Sequence, residues 1–187
     1  GEGLIEGILQ GGYCYRRSDK KQKETVNLLS SGAIMQQVLQ AAEQLEALGY
    51  GVTIWSITSF TELEREAQSC QRWNRLHPDQ AARVPFVEQL FSDEQGVFIA
   101  ATDYMKSLAS GIAPWLPGPY EVLGTDGYGL SESREDLRDF FEVSTAYIVQ
   151  AAIAALYRAE LIDSKQLNQH LSAVIVTNDK ADPRAGH

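Results

Sequence analysis

Five short runs rich in β-branched and apolar residues, Ile8 to Tyr15, Val26 to Leu29, Val52 to Ile57, Val97 to Ala101 and Tyr120 to Leu123, alternate with segments of helical spacing. A chain patterned in this way is expected to form one sheet covered by helices on both faces, an α/β architecture. Its 187 residues suit one domain with a substantial core and are too few for two large ones. A single domain over residues 1–187 is therefore expected.

The clearest helix follows Leu29, where Ile34, Val38, Ala41, Leu45 and Leu48 recur at steps of four and three and Gly49 ends the pattern as a C-cap. Thr61, with Glu64 three residues later, has the form of a capping box that opens a second helix. Arg83 to Phe91 reads as a short helix. Tyr104 to Ile112 reads as another, stopped by Pro114, Pro117 and Pro119. Ser133, with Asp136 behind it, caps a further short helix, and Ser144 to Leu161 is alanine-rich and apolar on most sides, so it belongs in the core. Asp163 caps a last helix through Leu171.

Sixteen basic against twenty-five acidic residues give a net charge of −9, which repels a nucleic-acid backbone and an anionic membrane alike. Neither partner is expected. No apolar run reads as long enough to cross a bilayer, and no signal-peptide pattern opens the chain. Cys14 and Cys70 lack C-x-x-C spacing, which fits a reducing, cytoplasmic location. Arg16, Arg17, Lys20, Lys21 and Lys23 form a basic cluster read as a solvated loop between the first two strands, with a docking patch for an acidic partner as the competing reading.

The richest stretch for chemistry is Gly124-Thr-Asp-Gly-Tyr-Gly-Leu-Ser-Glu-Ser-Arg-Glu135, a glycine-punctuated turn leaving a strand and entering a helix. Asp126, Tyr128, Ser131, Ser133 and Arg134 are its candidate contacts to an anion or a neighbouring domain. Ser30-Ser31-Gly32 is a second passage of this type, since helix N-termini present free N–H groups; ordinary capping accounts for both. Asp103 and Asp126 sit where strands end, the place where open α/β sheets hold ligands. The competing roles are a helix cap at Tyr104 for Asp103 and an Asx turn for Asp126. His77, His170 and His187 have no zinc or triad spacing, and no G-x-S-x-G elbow, Walker motif or dinucleotide fingerprint occurs. Trp55, Trp73 and Trp115 are scattered, which favours packing or interface roles. No catalytic, cofactor-binding or metal-binding residue is assigned from these patterns.

The glycine turn, Ser56-Ile-Thr-Ser-Phe-Thr-Glu-Leu63, Arg72-Trp-Asn-Arg-Leu-His-Pro78, Arg83-Val-Pro85, Thr102-Asp-Tyr-Met-Lys106, Phe141-Glu-Val143, Tyr147-Ile-Val149 and Asp182-Pro-Arg184 together resemble the homodimeric pyruvate dehydrogenase family of the transketolase superfamily. The resemblance spans nearly the whole chain and is weakest at Tyr15 to Lys23 and Lys165 to Val176. It implies the C-terminal of three domains. The implied fold is a three-layer α/β/α sandwich on a five-stranded mixed sheet whose first strand, Ile8 to Tyr15, is antiparallel, with its irregularity at Gly11 and Gly12.

By the same resemblance, the parent enzyme decarboxylates pyruvate with thiamine diphosphate and magnesium and passes acetyl to the lipoyl group of dihydrolipoyl acetyltransferase, at the step that follows glycolysis. The cofactor domains would precede Gly1, because Gly124-Thr-Asp-Gly127 has one residue too many for the family's Gly-Asp-Gly magnesium motif. This piece would then bind no cofactor and be inactive alone. Its implied role is structural and dimer-supporting, with the glycine turn and the run Trp73 to Pro78, including His77, as contacts to the rest of the enzyme. Leu130 departs from the basic residue often found there in the family. The alternative function is a regulatory α/β module that binds a small anion at Ser30 to Gly32 or Gly124 to Ser133.

Overall fold

A computed structural model of the chain describes residues 2–19, 22–126, 134–179 and 182. The sheet is built around β2 (Thr25–Ser31) and β4 (Val97–Thr102), which are buried on both faces. β3 (Gly51–Ile57) flanks β2, β5 (Tyr120–Leu123) forms one edge, and β1 (Gly12–Arg17) forms the other. The order is β1-β3-β2-β4-β5, with β1 antiparallel to β3 and every other pair parallel. The mixed five-stranded sheet matches the expected fold class.

Helices fill both faces because each parallel connection must cross over. On one face α2 (Met35–Ala47), α7 (Thr145–Arg158) and α8 (Ser164–Leu171) join α6 (Arg134–Phe140) over Val26, Leu28, Ile54 and Ile99. Ala41 and Ala42 of α2 and Ala151, Ala152 and Ala155 of α7 belong to this core, where small side chains let helices approach closely. On the other face α3 (Phe60–Leu76), α4 (Phe86–Leu90) and α5 (Lys106–Ser110) cover Leu29, Trp55 and Phe98. There Phe91 meets Trp55 edge-on at 4.9 Å and Phe98 at 5.6 Å. Buried Asn27 is satisfied by Trp55 Nε1, which donates to it, and by the Gln95 carbonyl, to which it donates.

Several local expectations are corrected. The first half of the run Ile8 to Tyr15 is helix: α1 (Glu2–Gln10) ends at Gly11, whose φ of +115° turns the chain into β1. The irregularity of β1 lies between Cys14 and Arg16, at exposed Tyr15, and not at Gly11 and Gly12. α3 starts one residue earlier than Thr61, because extended Ser59 accepts the Glu62 N–H at 3.0 Å; Thr61 is exposed on the first turn and Glu64 accepts from Gln68. Pro85 sets the start of α4 and so shortens the helix expected from Arg83. The helix expected from Tyr104 is only α5, followed by a 3-10 turn at Ala113–Trp115.

Arg16 and Arg17 lie in β1 and pair with Glu46 and Glu94, so they are strand residues with partners and not part of a free loop. The stretch Asp136–Arg158 is, contrary to expectation, apolar and long enough to pass for a membrane span. A turn through Glu142, at φ 59°, separates α6 from α7 within it, and α7 is buried in the domain core. Two expectations hold closely. Gly49 and Tyr50 donate to Glu46 and Leu45 as a Schellman end to α2, and Asp163 caps α8 in a complete capping box with Gln166.

Candidate functional site at the carboxyl edge of the sheet

β2 is followed by α2 on one face and β4 by α5 on the other, so the chain parts between the carboxyl ends of two adjacent strands. Such a switch point leaves a crevice. A hollow of about 340 Å³ opens there, lined by Ala33 and Asp103 from the strand exits, Thr125 after β5, and Leu137, Arg138, Phe141 and Val143 from α6 and the turn behind it. A smaller hollow of about 230 Å³ lies beside Ser31, Thr58, Ser59, Thr61 and Thr102. Its hydroxyls are partly committed: Ser59 receives the Glu62 N–H, Thr102 receives the Tyr104 N–H, and Thr58 donates to the Ile8 carbonyl.

The exits of β4 and β5 are tied together by polar bonds. Thr125 Oγ1 donates to the Asp103 carbonyl at 2.6 Å and the Thr125 N–H to the Tyr104 carbonyl at 3.0 Å. Asp126 Oδ1 accepts the Lys106 N–H at 2.9 Å. Asp126 therefore caps α5 from twenty residues away, the role assigned from sequence to Asp103. Gly124 makes this possible, since a side chain there would stand 2.7 Å from the Tyr104 carbonyl.

Of the other sequence candidates, Tyr128, Ser131 and Ser133 lie outside the described residues, as does the side chain of Arg134 at the start of α6. Trp73 and His77 are brought together: their rings stack at 4.5 Å, His77 Nδ1 sits 2.9 Å from the Trp73 carbonyl, and the Arg83 guanidinium covers the indole at 4.0 Å. Asn74 fixes that layer by exchanging two hydrogen bonds with the Arg83 backbone. This platform stands at the far end of α3, seventeen residues or about 25 Å long, so it does not join Asp126 in one site. Arg83 of the platform and Arg138 of the hollow were not among the sequence candidates. Arg83 lies ten residues from Trp73 across a loop, and Arg138 reads as an ordinary surface helix position.

The described thiols are poor nucleophiles. Burial holds the Cys70 thiol up at about 11, helped by its hydrogen bond to Glu66, and burial also raises Cys14 despite nearby Arg17. The two are not bonded to each other; Cys70 is buried, and Cys14 is exposed on β1 with its sulfur only partly desolvated. Burial also lifts the Tyr120 phenol, which donates to the Ala109 carbonyl at 2.7 Å. Among the described residues no group of three or more His, Cys, Asp or Glu side chains is placed to hold a metal. A magnesium diphosphate needs several converging oxygens, and Asp126 is already engaged by α5, so these residues do not fit that group. What the hollow can do is bind, with Arg138 as a cation in its wall; the Thr125 hydroxyl proton is already given to the Asp103 carbonyl.

Residues 11–144 match the model for the transketolase-like TK C-terminal domain. The chain belongs to the transketolase-like C-terminal domain family. Curated relatives of this family member include the pyruvate dehydrogenase E1 component of Escherichia coli, 43% identical over 185 residues, and that of Pseudomonas aeruginosa, 40% identical over 184. These alignments cover 98% and 97% of the chain but 20% and 21% of the relatives, so it spans about one fifth of their length. Among solved structures, a transketolase from Leishmania mexicana aligns with a TM-score of 0.54 at 18% identity over 82% of this chain and 19% of that one. A transketolase from Campylobacter jejuni gives 0.53 at 19% identity over 78% and 18%. At such identities these structures support the fold alone.

Proposed function

We propose that this chain is the C-terminal domain of a pyruvate dehydrogenase of the E1 type and that its role there is structural. The 43% identity to the Escherichia coli component, running through 98% of the chain, carries the reading. The parent enzyme binds thiamine diphosphate and magnesium in domains that precede this one, works as a cytoplasmic homodimer, and hands acetyl to the lipoyl group of dihydrolipoyl acetyltransferase. The Trp73, His77 and Arg83 platform and the segment after Asp126 serve as contacts within the parent enzyme. The test is pyruvate decarboxylation and thiamine diphosphate binding by the isolated 187-residue chain: none is expected, and measurable turnover refutes the assignment.

A second reading is favoured by one feature, the hollow at the switch point with Arg138 in its wall. In it the domain also binds a small anion. Calorimetry with inorganic phosphate tests this, with saturable binding lost in Arg138→Ala as the supporting result and no heat of binding as the refuting one.

A further inference from the structure

Helix α1 is built inside out. Its glycine side faces the domain: a side chain at Gly7 would lie 2.8 Å from the Gly12 carbonyl, so the helix backbone rests directly on β1. Its large apolar residues face away, with Leu4 46%, Ile5 63%, Ile8 43% and Leu9 75% exposed. These positions, i, i+1, i+4 and i+5, form one stripe along the helix. A surface helix ordinarily turns such a stripe inward. The helix is nonetheless fixed: Thr58 donates to the Ile8 carbonyl at 2.8 Å, and the Gly11 carbonyl accepts from both Thr58 and Ser59 backbone N–H groups. An exposed apolar face on an anchored helix marks an interaction surface.

We infer that the outward face of α1 docks against the part of the parent polypeptide that precedes this domain, an inference that rests on the reading given under Proposed function. The family match begins at Gly11, so α1 lies just ahead of the family's C-terminal unit. About four fifths of the relatives' length lies outside the aligned region, so an occupant on the same polypeptide has ample chain to draw on. An anionic bilayer is a poor alternative, since the chain carries −9 and α1 contributes acidic residues and no basic one.

The test places Ile5→Lys with Leu9→Lys, and separately Ile5→Ala with Leu9→Ala, in the full gene product and in the 187-residue chain. In the full product, limited proteolysis ahead of α1 is expected to release the domain at least tenfold faster for the lysine pair, with a smaller change of the same sign for the alanine pair. In the 187-residue chain both pairs leave the melting temperature within about 2 °C, because the side chains are exposed. Equal release rates for wild type and both variants overturn the inference. So does concentration-dependent dimerisation of the wild-type 187-residue chain that the lysine pair abolishes, which assigns the face to a second copy. A gene product with a preceding portion that docks on α1 but does not decarboxylate pyruvate supports this inference while refuting the functional reading.

Discussion

Replacing Asp126 with alanine separates a capping role from a ligand role. α5 is five residues long and Met105, at its N-cap, offers no side-chain hydrogen bond, so Asp126 Oδ1 at 2.9 Å is the side-chain cap described for the Lys106 N–H. Loss of a cap costs about 1 kcal/mol, and a partly buried donor left unpaired raises rather than lowers that figure. For a domain of this size about 1 kcal/mol lowers the melting temperature by about 3 °C. Asp126→Asn keeps the acceptor and is expected to retain most of the cap's contribution, because Asn and Asp cap helices about equally well. Thr125→Val removes the neighbouring bond to the Asp103 carbonyl, and because both bonds tie β5 to β4 the double variant is expected to lose less than the sum of the two. Thermal and urea unfolding of the wild type and the four variants measures all of this. Asp126→Ala with unchanged stability would refute the capping assignment.

Phe91 is fully buried between Trp55 and Phe98, so Phe91→Ala is expected to cost about 4 kcal/mol, read as a fall in the urea midpoint at constant m-value. Ser59→Ala is expected to cost about 1 kcal/mol and Thr61→Ala less than about 0.5 kcal/mol in the same assay; the reverse order restores Thr61 as the cap of α3. Ser30 is 1% exposed and its Oγ has no hydrogen-bond partner, so Ser30→Ala is expected to be neutral or stabilising by up to about 1 kcal/mol, and a marked loss of stability sinks that reading. The Cys70 thiol rises from an ordinary 9.0 to about 11, so the folded state retains the proton longer than the unfolded one. Its contribution is present below pH 9 and lost between pH 9 and about 11; a Cys70→Ala variant with the same stability slope as wild type over that window counts against it.

The parts of the fold legible in the sequence are those where burial dictates composition. Val97 to Ala101 is a continuous apolar run, and Val26 to Leu29 is one broken only by Asn27, because β2 and β4 are covered on both faces. The helix from Met35 showed its period because only one side of it is buried. The edge was less legible. The run Ile8 to Tyr15 merged the end of α1 with the start of β1, because an outward apolar stripe on a helix imitates a core strand and the break is one glycine in a left-handed conformation. Asp126 was legible as a strand-end residue but not as a cap, because the helix it serves begins twenty residues earlier in the chain. The platform was half legible: Trp73, in the last turn of α3, and His77, its C-cap, are four residues apart, whereas Arg83 returns across a loop that no periodicity records.

The antiparallel direction of β1 has a mechanical side. Gly12 pairs with Ile57, which puts the junction of α1 and β1 at the carboxyl end of β3, and the Gly11 carbonyl holds the two N–H groups that lead into α3. A load applied to α1 therefore runs through Gly11 to Thr58 and Ser59, the residues beside the smaller hollow. Tension on this domain from its neighbour would be felt first at the N-terminal turn of α3 and along the rim of the switch-point crevice. The strands at the centre of the sheet lie off that path.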